Sequence, residues 1–313
     1  MKKVIFDTDI GIDDAMALLF LEYSPEVELR AVVTGFGNAS IENTTRNALY
    51  MRERFGVDVP VYRGAALGLD NDPNLQYPDF VHGTNGLGDI EIVEPTGSVE
   101  EMAGAEAIVN MVREEPGELS IVAVGRMTNL AHALVLCPEL HTLVKEVVVM
   151  GGAFGGNGHH GNLTPFAEAN IGGDSLAAQQ VFASQLPITI VGLDVTEETI
   201  AQASFFDHLR GTAKSAGEFI YDISRCYLDF QVRTQSRNAC PIHDSSAVAY
   251  LLQPELFVTS FSAVSVATSG ERNGQTSRLA PALEDDGSKL CGVCTDVDAQ
   301  AVLDLYESVL TSV

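Results

Sequence analysis

The chain has 313 residues, 46% of them hydrophobic and 19% charged, which is enough apolar material for a sizeable core and excludes a disordered chain. Its 43 acidic against 18 basic residues give a formal net charge of −25, so phosphate backbones and anionic lipid are repelled, and neither nucleic acid nor a membrane surface is an expected partner. The apolar run Val4-Ile5-Phe6 is too short for a signal-peptide core, no apolar stretch of about 20 residues occurs, and five cysteines are no disulfide framework for this length. A reducing, cytoplasmic setting fits these features best.

Short β-branched runs alternate with longer helical patterns. Residues 4–6 read as a strand and 13–22 as a helix; 27–34 as a strand and 41–55 as a helix. Residues 104–114 read as a helix, 119–124 as a strand, 128–136 as a helix and 146–150 as a strand. Residues 175–184 are helical and 188–191 extended, a helix covers 215–235 and another 247–252, and the tail from about Phe261 holds two strands and a last helix over 298–311. The strands are nearly continuous apolar runs, as when helices cover both faces of a sheet. The alternation predicts a mostly parallel α/β sheet. Three loops are long, 64–88, 151–170 and the stretch around 236–241, and long loops in such domains usually carry function.

In open α/β sheets ligands bind outside the carboxyl ends of the strands. The first strand runs into Asp7-Thr8-Asp9-Ile10-Gly11-Ile12-Asp13-Asp14, four aspartates in eight residues. Their mutual repulsion would be relieved by a hard cation with oxygen ligands, Ca²⁺ or Mg²⁺. Helix capping accounts for one or two of them. No Gly-x-x-x-x-Gly-Lys phosphate loop is present. An Asp-x-Asp after a strand also suggests a haloacid-dehalogenase-like phosphatase, but Gly11 stands where those enzymes want Thr or Val, and no downstream Gly-Asp-x-x-x-Asp follows.

Later strand ends add polar groups. Asn38 follows Gly35-Phe36-Gly37, and Val124 offers a backbone carbonyl. The glycine-rich segment after Met150 leads through His159 and His160 to Asn162, Glu168 and Asn170, a set suited to a hydroxylated ligand. The two histidines lack a third ligand at regular spacing for zinc. His243-Asp244 opens the helix over 247–252, with Asp244 a candidate cap or distant metal ligand. Cys291 and Cys294 have redox-motif spacing but fall within a strand, where residues three apart face opposite sides, so buried structural thiols are expected.

Together these segments closely resemble the nucleoside hydrolase family, specifically the inosine-uridine-preferring ribonucleoside hydrolases. The likeness rests on the run Asp7 to Asp14, Gly37-Asn38 with Glu42-Asn43-Thr44, His82-Gly83 through Gly86-Leu87-Gly88, Thr128-Asn129, Met150-Gly151-Gly152, Gly161-Asn162 with Glu168-x-Asn170, and His243-Asp244. It covers nearly the whole chain in order. It implies a Rossmann-like nucleoside hydrolase fold in a single domain, residues 1–313, and a Ca²⁺-dependent cleavage of N-glycosidic bonds in ribonucleosides.

The resemblance also implies roles. Asp9 would be a calcium ligand and the general base, with Asp14, Asp244 and the Val124 carbonyl completing the protein ligands. Asp13, Asn38, Asn162, Glu168 and Asn170 would hold the ribose hydroxyls and 5′-hydroxyl. His82 and His243 would lie by the base, His243 being the second catalytic candidate. Asp7 would support the ligands without binding the ion. Tyr227 and Gln231, one helical turn apart, could face the base. Purine-specific members stack the base on tryptophan, which this chain lacks, so pyrimidine nucleosides or a broad range are favoured. Ile10 and Arg126 stand where the family often has proline, and nothing in the sequence accounts for Arg126. The family commonly forms homodimers or homotetramers. A metal-dependent nucleoside- or sugar-binding protein without turnover is the alternative, with a Mg²⁺-dependent phosphatase third.

Overall fold

A computed structural model describes residues 1–72, 74–279 and 289–312. Its strands, in chain order, are β1 (Lys2–Thr8), β2 (Val27–Thr34), β3 (Val61–Arg63), β4 (Leu119–Ala123), β5 (Glu146–Met150), β6 (Ile188–Val191), β7 (Ile200–Gln202), β8 (Ala239–Pro241), β9 (Phe257–Ser262), β10 (Val264–Val266), β11 (Thr276–Arg278) and β12 (Cys291–Val297). Eight of them form one sheet in the order β3-β2-β1-β4-β5-β6-β12-β9. Every neighbouring pair in it is parallel except β12 and β9. The expected open, mostly parallel sheet flanked by helices is therefore present, with one antiparallel edge strand.

Period-two alternation sorts the strand residues between two apolar layers. Val4, Phe6, Val122, Val148 and Met150 pack on one side, whereas Ile5, Ile121, Ala123, Val147 and Val149 pack on the other. The first layer lies under the helices Ile12–Tyr23, Lys214–Gln235, His243–Leu252 and Ala299–Thr311, and the second under Gly104–Glu114, Thr128–Leu136 and Ser175–Phe182. The last helix returns to the first, where Phe20 and Tyr306 meet edge to face at 5.0 Å. In β12, Cys294 belongs to the first layer and Cys291 to the second. The two thiols are free, buried and on opposite faces, as the strand reading predicts.

Several bounds shift where context overrides the local pattern. The helix expected over 247–252 starts at His243, because Ile242 caps it directly after β8. Asp244 consequently sits inside the first turn and is not the cap. The region from residue 257 on holds four strands instead of two, since β10 and β11 make a small antiparallel pair of their own. The helices Asp79–His82 and Ala203–Thr212 and the pair β7–β8 were not evident from periodicity. Among the described residues no helix is long and apolar enough to cross a membrane.

The chain runs from β1 outward through β2 and β3, then crosses to β4 on the other side of β1. The strand order thus reverses between β1 and β4, and their carboxyl ends open a crevice there.

Candidate functional site

Asp9 lies just past β1 at this reversal. Its seat depends on two glycines: a Cβ at Gly37 would stand 1.8 Å from Asp9 Oδ2, and one at Gly125 would stand 2.9 Å from Oδ1. The Asn38 backbone N–H donates to Oδ2 at 2.7 Å. Burial and the neighbouring Asp14 charge push the Asp9 carboxyl well up, and the Arg126 guanidinium works against that rise. Arg126 is mostly buried and stacks over the Phe36 ring at 4.4 Å, which gives this residue the place the sequence did not explain.

Asp14 is the anchor of the turn. It accepts from the Asp9 N–H at 3.2 Å, the Gly11 N–H at 2.9 Å, the Asn38 side-chain amide at 2.7 Å and the Thr8 hydroxyl. Asp13, Asp14 and Asp244 each bring a carboxylate oxygen within 4.8 Å of the others, and all three are buried. Asp13 Oδ1 has no hydrogen-bond partner. Desolvation and then the Asp14 charge push the Asp13 carboxyl up to about 8, and Asp244 is raised well above its ordinary value by burial and by Asp13, Asp14, Asp9 and Glu168. Two helix N-termini, Ile12–Tyr23 and His243–Leu252, carry these carboxylates in their first turns, so their partial positive charge offsets part of the repulsion. A buried, oxygen-only, mutually repelling set with an orphan acceptor fits a hard divalent cation. The trio takes in Asp13, where the resemblance implied Asp9; in the described structure Asp9 is held by Asn38.

Asp7 points its Oδ1 at the Asn129 amide, 2.8 Å away, and leaves Oδ2 unpaired. Burial pushes it up to about 7. It stays outside the trio.

One wall comes from the loop after β5. Glu168 caps the short helix Ala169–Gly173, accepting from the N–H groups of Asn170 at 2.8 Å, Gly152 at 3.0 Å and Ile171 at 3.0 Å. The Asn170 amide donates to the Val124 carbonyl at 2.6 Å and to that of Met150 at 3.2 Å. One Val124 lone pair is thereby engaged and a second remains for a ligand. Asn162 accepts from the Ala169 N–H at 2.9 Å. His159 pairs with Glu198 at 2.6 Å.

Two buried histidines line the same cavity. The Ile12 N–H donates to His82 Nδ1 at 3.1 Å, which leaves the proton on Nε2. Burial lowers His82 to about 4, so it is a neutral donor at neutral pH. His243 Nδ1 lies 2.8 Å from the Thr196 hydroxyl, and burial lowers its pKa as well. Tyr227 lies 6.4 Å from His82, ring centre to ring centre.

Of the residues given a catalytic, ligand-binding or metal-binding role from the sequence, all but Asp9 and Asp14 line one cavity of about 610 Å³. That volume is of the size that holds a small organic ligand. Asp9 and Asp14 are buried against it through Asn38. Sequence reasoning missed Glu197 and Arg237, which line the same cavity. Neither stands at a strand end of the main sheet, and only the packing of the β7–β8 region brings them in.

A family model described as "Inosine-uridine preferring nucleoside hydrolase" matches residues 4–304. A protein of Arabidopsis thaliana named probable uridine nucleosidase 2 is 37% identical over 311 residues, 97% of this chain and 96% of its own. Among solved structures, the plant nucleoside hydrolase PpNRh1 superposes with a TM-score of 0.94 at 32% identity, covering 100% of this chain and 99% of its own. A purine-preferring ribonucleoside hydrolase from Gardnerella vaginalis gives 0.93 at 33% identity, with 99% and 98% covered. The carboxylate cluster at the sheet's reversal point and these likenesses agree: the chain belongs to the inosine-uridine preferring nucleoside hydrolase family, enzymes that cleave the N-glycosidic bond of ribonucleosides to free base and ribose.

Proposed function

We propose that the cation of this site is Ca²⁺, held by Asp9, Asp14, Asp244 and the Val124 carbonyl, and that pyrimidine nucleosides, or a broad range including them, are the substrates. The single observation that carries the metal reading is the buried trio of Asp13, Asp14 and Asp244 oxygens within 4.8 Å of one another beside a nucleoside-sized cavity; two of the three belong to the proposed ligand set, and Asp9 enters it on the resemblance. The pyrimidine reading is supported by the absence of tryptophan and by the name of the Arabidopsis relative. The Gardnerella structure, named for purines, shows that the shared fold leaves the base open.

When bound, the ion supplies a Lewis-acid centre and an orienting template for water and the ribose diol. Asp9 takes the proton of the attacking water. Its raised pKa, moderated by Arg126, suits a base. Asp13, Asn38, Asn162, Glu168 and Asn170 hold the ribose hydroxyls. The carboxylates around the sugar favour the oxocarbenium character that builds as the glycosidic bond breaks. His82 and His243, neutral by burial, donate hydrogen bonds to the departing base. The whole of 1–313 acts as one domain, in a homodimer or homotetramer, in the cytoplasm.

A reducing-sugar assay with uridine, cytidine and inosine, with and without a chelator, tests the reading. Ribose from uridine at least as fast as from inosine, lost with chelator and restored by Ca²⁺, is expected. No ribose from any nucleoside would overturn the substrate class for this protein, and activity on inosine alone would overturn the pyrimidine preference. The seat of Asp9 gives a second expectation. Gly37→Ala places a methyl on the Asp9 carboxylate and displaces it. Turnover falls about 10²-fold, as misplacing a catalytic group by an ångström does, while the circular dichroism spectrum is retained; turnover within twofold of the parent would refute this seating.

A further inference from the structure

The helix Lys214–Gln235 ends at Ser236, whose φ of 53° lies in the left-handed region. The chain turns back there, and the Arg237 N–H reaches the Gln231 backbone carbonyl at 3.4 Å. The Arg237 side chain follows: its Nη2 donates to Gln231 Oε1 at 3.0 Å and lies 3.4 Å from Glu197 Oε2. Gln231 is 3% exposed, and it shares the cavity with Tyr227, His243, Glu197 and Arg237.

A glutamine amide can present either end, and heavy-atom positions alone do not decide which. Here the chemistry decides. Arginine has donors only, so the amide oxygen must face Arg237, because the flipped amide would set N–H against N–H. The Gln231 NH₂ group is then directed away from Arg237, and it makes no hydrogen bond among the described residues. Where this amide faces the pyrimidine 4-position or the purine 6-position, an oxo group there supplies the acceptor the donor lacks. An exocyclic amino group would oppose donor to donor and leave both unpaired, and sites built around a polar pair reject the mismatched analogue strongly.

We propose that Arg237, braced by Glu197, is a positioning residue that fixes Gln231 as a hydrogen-bond donor, so that the enzyme selects oxo bases over amino bases whatever the ring size. Uridine is preferred to cytidine, and inosine to adenosine. The proposal rests on the reading of this cavity as the nucleoside pocket.

The test measures kcat/KM for the four nucleosides in the parent and in Arg237→Met, Arg237→Lys and Gln231→Glu, with folding checked by thermal melting. The parent favours each oxo member over its amino counterpart by about tenfold or more. Arg237→Met frees the amide to rotate, and both ratios fall at least about fivefold toward one. Arg237→Lys, which still donates to Oε1, keeps them. Gln231→Glu presents acceptors only and shifts both ratios toward the amino bases. A parent that hydrolyses none of the four fails the nucleoside reading itself. A parent that is active with ratios near one, or with ratios unmoved in Arg237→Met, overturns the role of Arg237 and leaves that reading standing. If Arg237→Met does not fold, Gln231→Glu decides, and an undiminished oxo preference there overturns the proposal.

Discussion

Replacing Asp9 by asparagine is expected to lower ribonucleoside turnover about 10²–10⁴-fold, the usual contribution of a positioned general base, with no loss of fold. The amide keeps an oxygen where Asn38 N–H donates at 2.7 Å, so the seat between Gly37 and Gly125 stays filled. It also removes one charge from a cluster whose members raise one another's pKa, so the metal-free protein has no electrostatic reason to weaken. Ribose release and a thermal melt on the same preparation check both halves. More than a tenth of parental turnover in Asp9→Asn would remove Asp9 as the base.

The second large effect separates two aspartates that the sequence treats alike. Asp14 accepts from Thr8, Asp9, Gly11 and Asn38, so Asp14→Ala strands buried donors and costs on the order of 3–5 kcal/mol even without metal. Asp244 accepts no hydrogen bond among the described residues and is repelled by Asp13, Asp14, Asp9 and Glu168. Asp244→Asn is therefore expected to stabilise the metal-free protein and to abolish the stabilisation expected from the proposed Ca²⁺. The pH dependence follows from the same groups. Asp13 is raised to about 8 in the folded state, so stability present below its unfolded pKa is lost as pH rises toward 8. His82, lowered to about 4, acts in the opposite sense, but its contribution is already complete above about 6.5. Between pH 6.5 and 8 the chelator-treated parent should therefore melt at falling temperature, Ca²⁺ should remove the fall, and Asp244→Asn should flatten it. A melting temperature that rises over this window in the metal-free parent would contradict the picture.

The elements that the sequence revealed are those whose own residues determine them. The strand over 27–34, the helices over 41–55 and 104–114 and the strand over 146–150 have the bounds expected, because continuous β-branched runs and 3.6-residue periodicity act locally. Cys291 and Cys294 fell to opposite faces for the same reason. Asp9, Asp14 and the residues of the Glu168 loop were legible because strand ends are where such folds bind, and because the motifs match a family in order. What was hidden depends on partners distant in sequence. Arg126 makes sense only once Phe36 lies beneath it. Arg237 has no local signature, and it matters only because Ser236 turns the chain back onto Gln231. The early start of the helix His243–Leu252 moved Asp244 from a cap to a first-turn position, from which it meets Asp13 and Asp14.

That meeting joins opposite halves of the chain, since Asp13 and Asp14 follow the first strand and Asp244 follows the eighth. No stretch emerging early in synthesis contains the cation site, so the ion cannot template the first folding steps. Parallel pairing of β1 with β4 already makes the topology non-local and its formation slow. The ion binds only after both halves have docked, and its free energy then adds to the global transition as RT ln(1 + [L]/Kd). The cation would act on this protein as a late clasp, raising the barrier to whole-molecule opening while leaving the order of assembly unchanged.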